Sequence, residues 1–119
     1  MNDNENIERV LLWWLINKPN SYYDQHQLLK KELFSSVHRI AIFGWIDDKY
    51  QKGEKFDMLK CMTELGVLKL KGLDYELGMR ISHGETYRQN IKTLIEYLTK
   101  IYKKKNIKLL CEEVLINID

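Results

Sequence analysis

Ile7, Val10, Leu11 and Trp14 recur at the three- and four-residue spacing of a single helix face, which predicts a helix over residues 5–17 closed by Lys18, Pro19 and Asn20. Leu12, Trp13 and Leu15 lie off that stripe. A helix apolar nearly all round has to be covered on more than one side, by its own core or by a partner. Ser21 or Asp24 can cap a second helix over residues 24–34, with Leu28, Leu29 and Leu33 as a narrow apolar edge and Lys30, Lys31 and Glu32 turned outward. Residues 37–46 are dense in β-branched and aromatic side chains, a pattern that fits a strand buried on both faces as well as a short buried helix. A polar loop over residues 47–53 follows. Helical spacing returns over residues 55–65 through Phe56, Leu59 and Met62, and Gly66 stands where a left-handed residue commonly stops a helix.

Residues 67–71 and 75–81 flank Gly72, Leu73 and Asp74, a three-residue connection with glycine that predicts a β-hairpin. In its second arm Tyr75, Leu77, Met79 and Ile81 alternate with Glu76, Gly78 and Arg80, so one face is expected inside and the Glu76 face in water. Ser82, His83, Gly84 and Glu85 match a capping box, and a long helix is expected after it. Its apolar stripe runs through Tyr87, Ile91, Leu94, Ile95, Leu98 and Ile101, with Lys92, Glu96 and Lys100 outside. Residues 107–119 fit a helix, although Val114, Ile116 and Ile118 also alternate like an edge strand; helix is the expectation. The fold class expected from these elements is α+β and mostly helical. It is a single domain over residues 1–119, a bundle of four to five helices with a small antiparallel β-hairpin.

A third helix ending in Glu64, Leu65, Gly66, Val67 and Leu68, then a hairpin, then a helix launched from Arg80, Ile81, Ser82, His83, Gly84 and Glu85 resembles the winged helix-turn-helix superfamily. The resemblance spans residues 6–102, and its specific residues lie within 56–87. It implies that the helix over residues 55–65 enters the major groove and that the hairpin around Gly72 touches a phosphate or the minor groove. The implied nucleic-acid contacts are Lys55, Lys60, Lys69, Lys71, Arg80, Arg88 and Lys92. The third helix offers Lys55, Asp57, Lys60, Thr63 and Glu64 but no Arg, Asn or Gln for bidentate base contacts, so sequence specificity is expected to be low. Residues 34–53 are longer and more apolar than the tight turn that joins the second and third helices of that superfamily.

Composition narrows the function classes. The 119 residues are 45% hydrophobic and 30% charged with a single proline, which suits a globular domain and leaves no linker composition. The longest strongly apolar run, residues 10–16, falls far short of the roughly 20 residues of a membrane span. Asp3, Glu5 and Glu8 precede the first basic residue, the reverse of a secretion signal, and Cys61 and Cys111 read as two reduced thiols in a cytoplasmic protein. Between Arg88 and Lys108 seven basic residues face one acid, a local net charge of +6 against +2 for the whole chain. That polarity suits duplex DNA or an acidic partner protein, or a solvated helix end.

Catalytic signals are missing. His26, His38 and His83 form no paired metal-ligand spacing, and the His83-Gly84-Glu85 triplet lacks the Pro-Cys-x-x-Cys half of a zinc deaminase. The carboxylate groups Asp47 with Asp48 and Asp74 with Glu76 have no positioned base, and Ser35, Ser36 and Ser82 lack a nucleophile elbow. The expectation is therefore a protein without enzymatic activity, cofactor, metal or small-molecule substrate: a DNA-binding transcription regulator of low intrinsic sequence specificity, acting as a homodimer. The alternative is a small protein-interaction module, such as an immunity protein, an inhibitor of a toxin or defence system, or an adaptor. Its contacts would come from Trp13, Trp14, Tyr22, Tyr23 and Trp45, since large aromatics dominate interface energetics and adjacent Trp13 and Trp14 cannot both face one core.

Overall fold

The computed structural model describes residues 3–66, 72, 76 and 90–116, with the side chains of all of these except 3, 19, 21, 23 and 107–116. Helix α1 (Asp3–Asn17) forms as the spacing of its apolar residues predicts, and it is the centre of the molecule. Helices α2 (Pro19–Gln25), α3 (Val37–Gln51) and α5 (Ile91–Ile116) all pack on it. Its apolar girth is thus covered by the chain itself: Val10, Leu11, Leu12, Leu15 and Ile16 are at most 3% exposed. Each such burial is worth about 1.5–3 kcal/mol relative to exposure, which makes α1 the main source of core stability.

Pro19, read from the sequence as the breaker after α1, instead begins α2. A proline has no N–H to lose at the first helical position, where the N–H is unpaired anyway. The single helix expected over residues 24–34 is replaced by the end of α2 and two 3₁₀ turns, His26–Leu28 and Lys31–Leu33. Those turns put Leu29, Leu33 and Phe34 into the core and leave Leu28 half exposed.

For residues 37–46 the structure selects a helix. Ser36 caps α3, its hydroxyl accepting the Arg39 N–H at 3.1 Å, and Arg39, Ile42, Phe43 and Ile46 then fall on one buried face at helical spacing. The β-branched content that suggested a strand is overridden by burial of that face, because propensities are weak beside tertiary packing. At the other end Gly53, at φ +68°, lets its own N–H reach the Tyr50 carbonyl and the Glu54 N–H reach the Lys49 carbonyl, a Schellman closure. A Cβ at Gly53 would meet nothing within 4 Å, so only the left-handed backbone penalises a substitution. Gly53→Ala is expected to cost about 1–2 kcal/mol, read as a lower thermal midpoint with unchanged helical content.

Helix α4 (Met58–Gly66) is launched by Asp57, whose carboxylate accepts the Lys60 N–H at 2.7 Å. It buries Cys61 and Leu65, whereas Leu59 is 74% exposed, so its inward stripe differs from the one through Leu59 and Met62. Gly66 is the last helical residue and has no left-handed φ. Helix α5 starts one turn beyond the expected stripe's beginning: Asn90 stands outside the helix and its side-chain oxygen accepts the Lys92 N–H at 2.8 Å. The helix is continuous to Ile116, which settles residues 107–116 as helical.

The α+β assignment is corrected. No strand occurs among the described residues, and the two described positions of the supposed hairpin contradict it. The Glu76 N–H donates to the Gly72 carbonyl four residues earlier, at 3.0 Å, which closes a helical turn rather than a three-residue hairpin loop. Glu76 is also buried, although alternation placed it in water. The remaining hairpin residues and the capping box at Ser82–Glu85 lie outside the described residues.

Candidate interaction surface and buried charge cluster

Three charged side chains from distant parts of the chain meet against α1. Glu8, Arg39 and Glu76 are 2%, 3% and 4% exposed. Glu8 projects from the α1 core stripe, four residues before Leu12, and Arg39 occupies the third residue of α3, where the Ser36 cap fixes the backbone. Arg39 donates through Nε to Glu8 Oε1 at 3.0 Å and through Nη1 to Glu76 Oε1 at 3.1 Å. Its Nη2 reaches the Ser35 hydroxyl at 3.1 Å and lies 3.8 Å from Glu5. Glu8 is closed further by Ser35, whose N–H and hydroxyl donate to its two oxygens at 2.6 and 2.8 Å. Glu76 takes a second, bidentate arginine, Arg9, through Nε at 2.7 Å and Nη2 at 3.2 Å.

Burial opposes the charge on Arg39, and the bonds to Glu76 and Glu8 outweigh it, holding the guanidinium above its ordinary value. Burial likewise works against the Glu76 carboxylate, and the bonds from Arg9 and Arg39 outweigh it, holding that carboxyl below the usual carboxylate range. Every oxygen of the two buried carboxylates accepts at least one donor, so the cluster is saturated and joins α1, α3 and the position of Glu76. It has no unoccupied acid or base to offer a substrate. A pocket beside it, lined by Asn4, Glu8, Phe34, Ser35, Leu98 and Tyr102 among others, reaches the same satisfied Glu8.

The aromatic candidates are dispersed. Tyr22 is in the core, where its hydroxyl donates to Asp47 and its ring stacks on Phe43; burial first, then the bond to Asp47, pushes its pKa upward. Trp45 is half-buried between α3 and α4, donating to Glu64 at 3.0 Å and meeting Phe56 edge-on. Trp13 and Trp14 are both half-buried and touch each other edge to face at 5.4 Å. Trp13 packs on the core, while the buried Trp14 indole N–H has no partner among the described residues. The Tyr23 side chain lies outside the described residues.

Of the basic candidates, Lys55 is exposed before α4, and Lys60 donates to the Lys55 carbonyl at 3.2 Å and lies within 4 Å of Glu54 and Glu64. Lys92 is exposed on the first turn of α5. Lys69, Lys71, Arg80 and Arg88 lie outside the described residues, so the structure does not assemble the set. Cys61 is a free, fully buried thiol whose pKa burial pushes up to about 12, which makes it inert at neutral pH. Among the described residues no group of His, Cys, Asp and Glu has the geometry of a metal site, and no helix is long and apolar enough to cross a membrane.

Four exposed apolar residues were not among the interaction candidates read from the sequence: Val37 (63%) and Ile40 (38%) on α3, Leu59 (74%) and Met62 (38%) on α4. The signal was present in α4, where Leu59 and Met62 form one apolar stripe and Cys61 and Leu65 another. A nine-residue helix on the rim of a bundle buries one stripe, so the second is left for solvent or a partner.

A family model for the DnaB-like helicase N terminal domain matches residues 1–115. No curated protein and no solved structure matches. The family match, with the helical structure, replaces the winged helix-turn-helix resemblance and the transcription-regulator reading drawn from it. It does not favour the immunity-protein, inhibitor or adaptor alternative either.

Proposed function

Because the chain belongs to the DnaB-like helicase N-terminal domain family, we propose that it acts in DNA replication as a non-catalytic assembly domain, joining copies of itself or of a helicase. The observation that carries this reading is the match over residues 1–115, nearly the whole chain. Domains of this kind mediate oligomerisation and protein interaction, in a hexamer in the full helicase. The described side chains support a role without chemistry, since the buried charges are saturated by one another. The place of action under this reading is the cytoplasm, where a replicative helicase works.

Val37, Ile40, Leu59 and Met62 are the positions from which contacts to such a partner are expected, because they combine apolar area with exposure. Sedimentation velocity over a range of concentrations, alone and with the purified replicative helicase of the same cell, tests the proposal. Self-association or joint assembly is the expected outcome. Leu59→Glu combined with Met62→Glu should leave the fold intact and weaken that association at least about tenfold, given ~1.5–3 kcal/mol per buried large apolar side chain. A chain that remains monomeric throughout and neither joins the helicase nor alters its unwinding would sink the reading.

A further inference from the structure

Several cations in the body of the molecule are neutralised where they stand. Arg9 and Arg39 are paired with Glu5, Glu8 and Glu76, Lys49 with Glu54 and Glu64, Lys52 with Asp48, and Lys60 with Glu54 and Glu64. Lys18, Lys30, Lys31 and Lys55 are exposed without an ion-pair partner among the described residues, but they lie on separate turns and short segments, whereas α5 gathers such lysines on one face. Lys92, Lys100, Lys103 and Lys104 are all exposed, and none has an ion-pair partner among the described residues. At 3.6 residues per turn they share the side of α5 opposite Leu94, Ile95 and Leu98, which are buried. Tyr97, 45% exposed, lies on the same side and forms one ridge with Lys100 and Lys104 at spacings of three and four residues. From Lys92 to Lys104 this face runs about 18 Å along the helix.

The chemistry of the face selects among polyanions. Its exposed residues are Lys92, Thr93, Glu96, Tyr97, Lys100, Lys103 and Lys104, with no aliphatic side chain among them. A protein partner needs an apolar centre to bury, and this face supplies none beyond one tyrosine ring. It also lacks the Arg, Asn or Gln that read base edges in a duplex groove. Phosphates require only positive charge, and an unpaired base requires only an aromatic face on which to stack.

We propose that the outer face of α5 holds single-stranded nucleic acid through its phosphates, without reading sequence, and that Tyr97 stacks on one base. This surface is distinct from the groove-reading helix implied by the winged-helix resemblance, and it does not depend on the assembly role. The strand lies along the lysine ridge, with Lys92 at one end and Lys104 at the other.

Fluorescence anisotropy of a labelled oligothymidylate with the whole chain tests this, with a mixed-sequence strand and a duplex of the same length as separate arms. Equal binding of both single strands at low salt is expected. The logarithm of affinity should fall with the logarithm of salt concentration at a slope of about −3, from ~0.7 per phosphate contact made by the four lysines. Lys100→Glu with Lys103→Glu and Lys104→Glu should weaken binding by more than about tenfold and flatten that slope, while circular dichroism stays unchanged. Tyr97→Ala should weaken it about tenfold without altering the slope, and Lys52→Glu should change neither. No binding at low salt, indifference to the triple reversal, or tighter binding of the duplex overturns the proposal. So does equal binding of a polyglutamate of matched charge that Tyr97→Ala leaves unaffected, which would make the face a site for acidic protein instead.

Discussion

Arg39→Met is expected to lower the free energy of unfolding by about 3–5 kcal/mol, the loss typical of removing one partner from a buried ion pair. Methionine retains much of the apolar stem of the arginine, so packing loss is small and the effect is electrostatic. Glu8 would keep its two bonds from Ser35 but no cation, and Glu76 would keep Arg9. The cost should therefore fall mainly on Glu8. Adding Glu8→Gln to Arg39→Met should recover part of the loss, because an amide needs no counter-charge. Urea unfolding of the single and double variants measures both quantities, and equal stability of the two would place the cost elsewhere. Glu76 adds a pH signature. Its carboxyl is held below its ordinary value, so its contribution is complete above an unfolded pKa of about 4.3 and is lost as pH falls through the folded value. The urea midpoint should decline on the acid side of about pH 5, and the decline should be shallower in Glu76→Gln.

A comparable loss is expected from Leu11→Ala, about 2–5 kcal/mol, because Leu11 is fully buried in the helix that the other helices surround. Removing its branched end takes away contacts inside the bundle where no neighbouring backbone can readily close the space. Leu59→Ala removes the same atoms from a residue 74% exposed and should change stability by no more than about 0.5 kcal/mol. Both are read from chemical denaturation at constant slope. Similar values for the two leucines would mean that the α4 surface is covered in solution, which gel filtration across concentrations would reveal as association.

The helical spacing of α1 and the stripe of α5 through Leu94, Ile95 and Leu98 were legible in the sequence because local periodicity and burial agree there. For α3 they disagree. Ile40, Ile42 and Ile46 share a strand parity, and only their partition into an outward Ile40 and inward Ile42 and Ile46 reveals the helix. The hairpin reading failed because alternation around Glu76 assumed that a glutamate marks a wet face. Here the glutamate is buried against two arginines, and Gly72 takes φ +89°, a left-handed backbone, where a Cβ would lie in tight contact, 3.3 Å from the His38 ring. The winged-helix resemblance stood on that same hairpin and fell with it. The Glu8–Arg39–Glu76 cluster joins residues 31 and 37 positions apart, a separation no local pattern encodes. A fainter trace existed: Glu8 precedes Leu11, Leu12 and Leu15, and Arg39 precedes Ile42, Phe43 and Ile46, each at the spacing of a buried face. Charges standing in such stripes ask for partners.

The central position of α1 has a consequence for how the chain is made. Its neighbours α3 and α5 are synthesised after it, and α5 ends about a hundred residues later, at Ile116. At a ribosomal rate of roughly 5–20 residues per second, this central helix waits on the order of 5–20 s for its last cover. During that interval Leu11, Leu12, Trp13 and Trp14 are presented by a nascent chain. Capture by a chaperone, or pairing with the same helix on an adjacent ribosome, competes with correct closure.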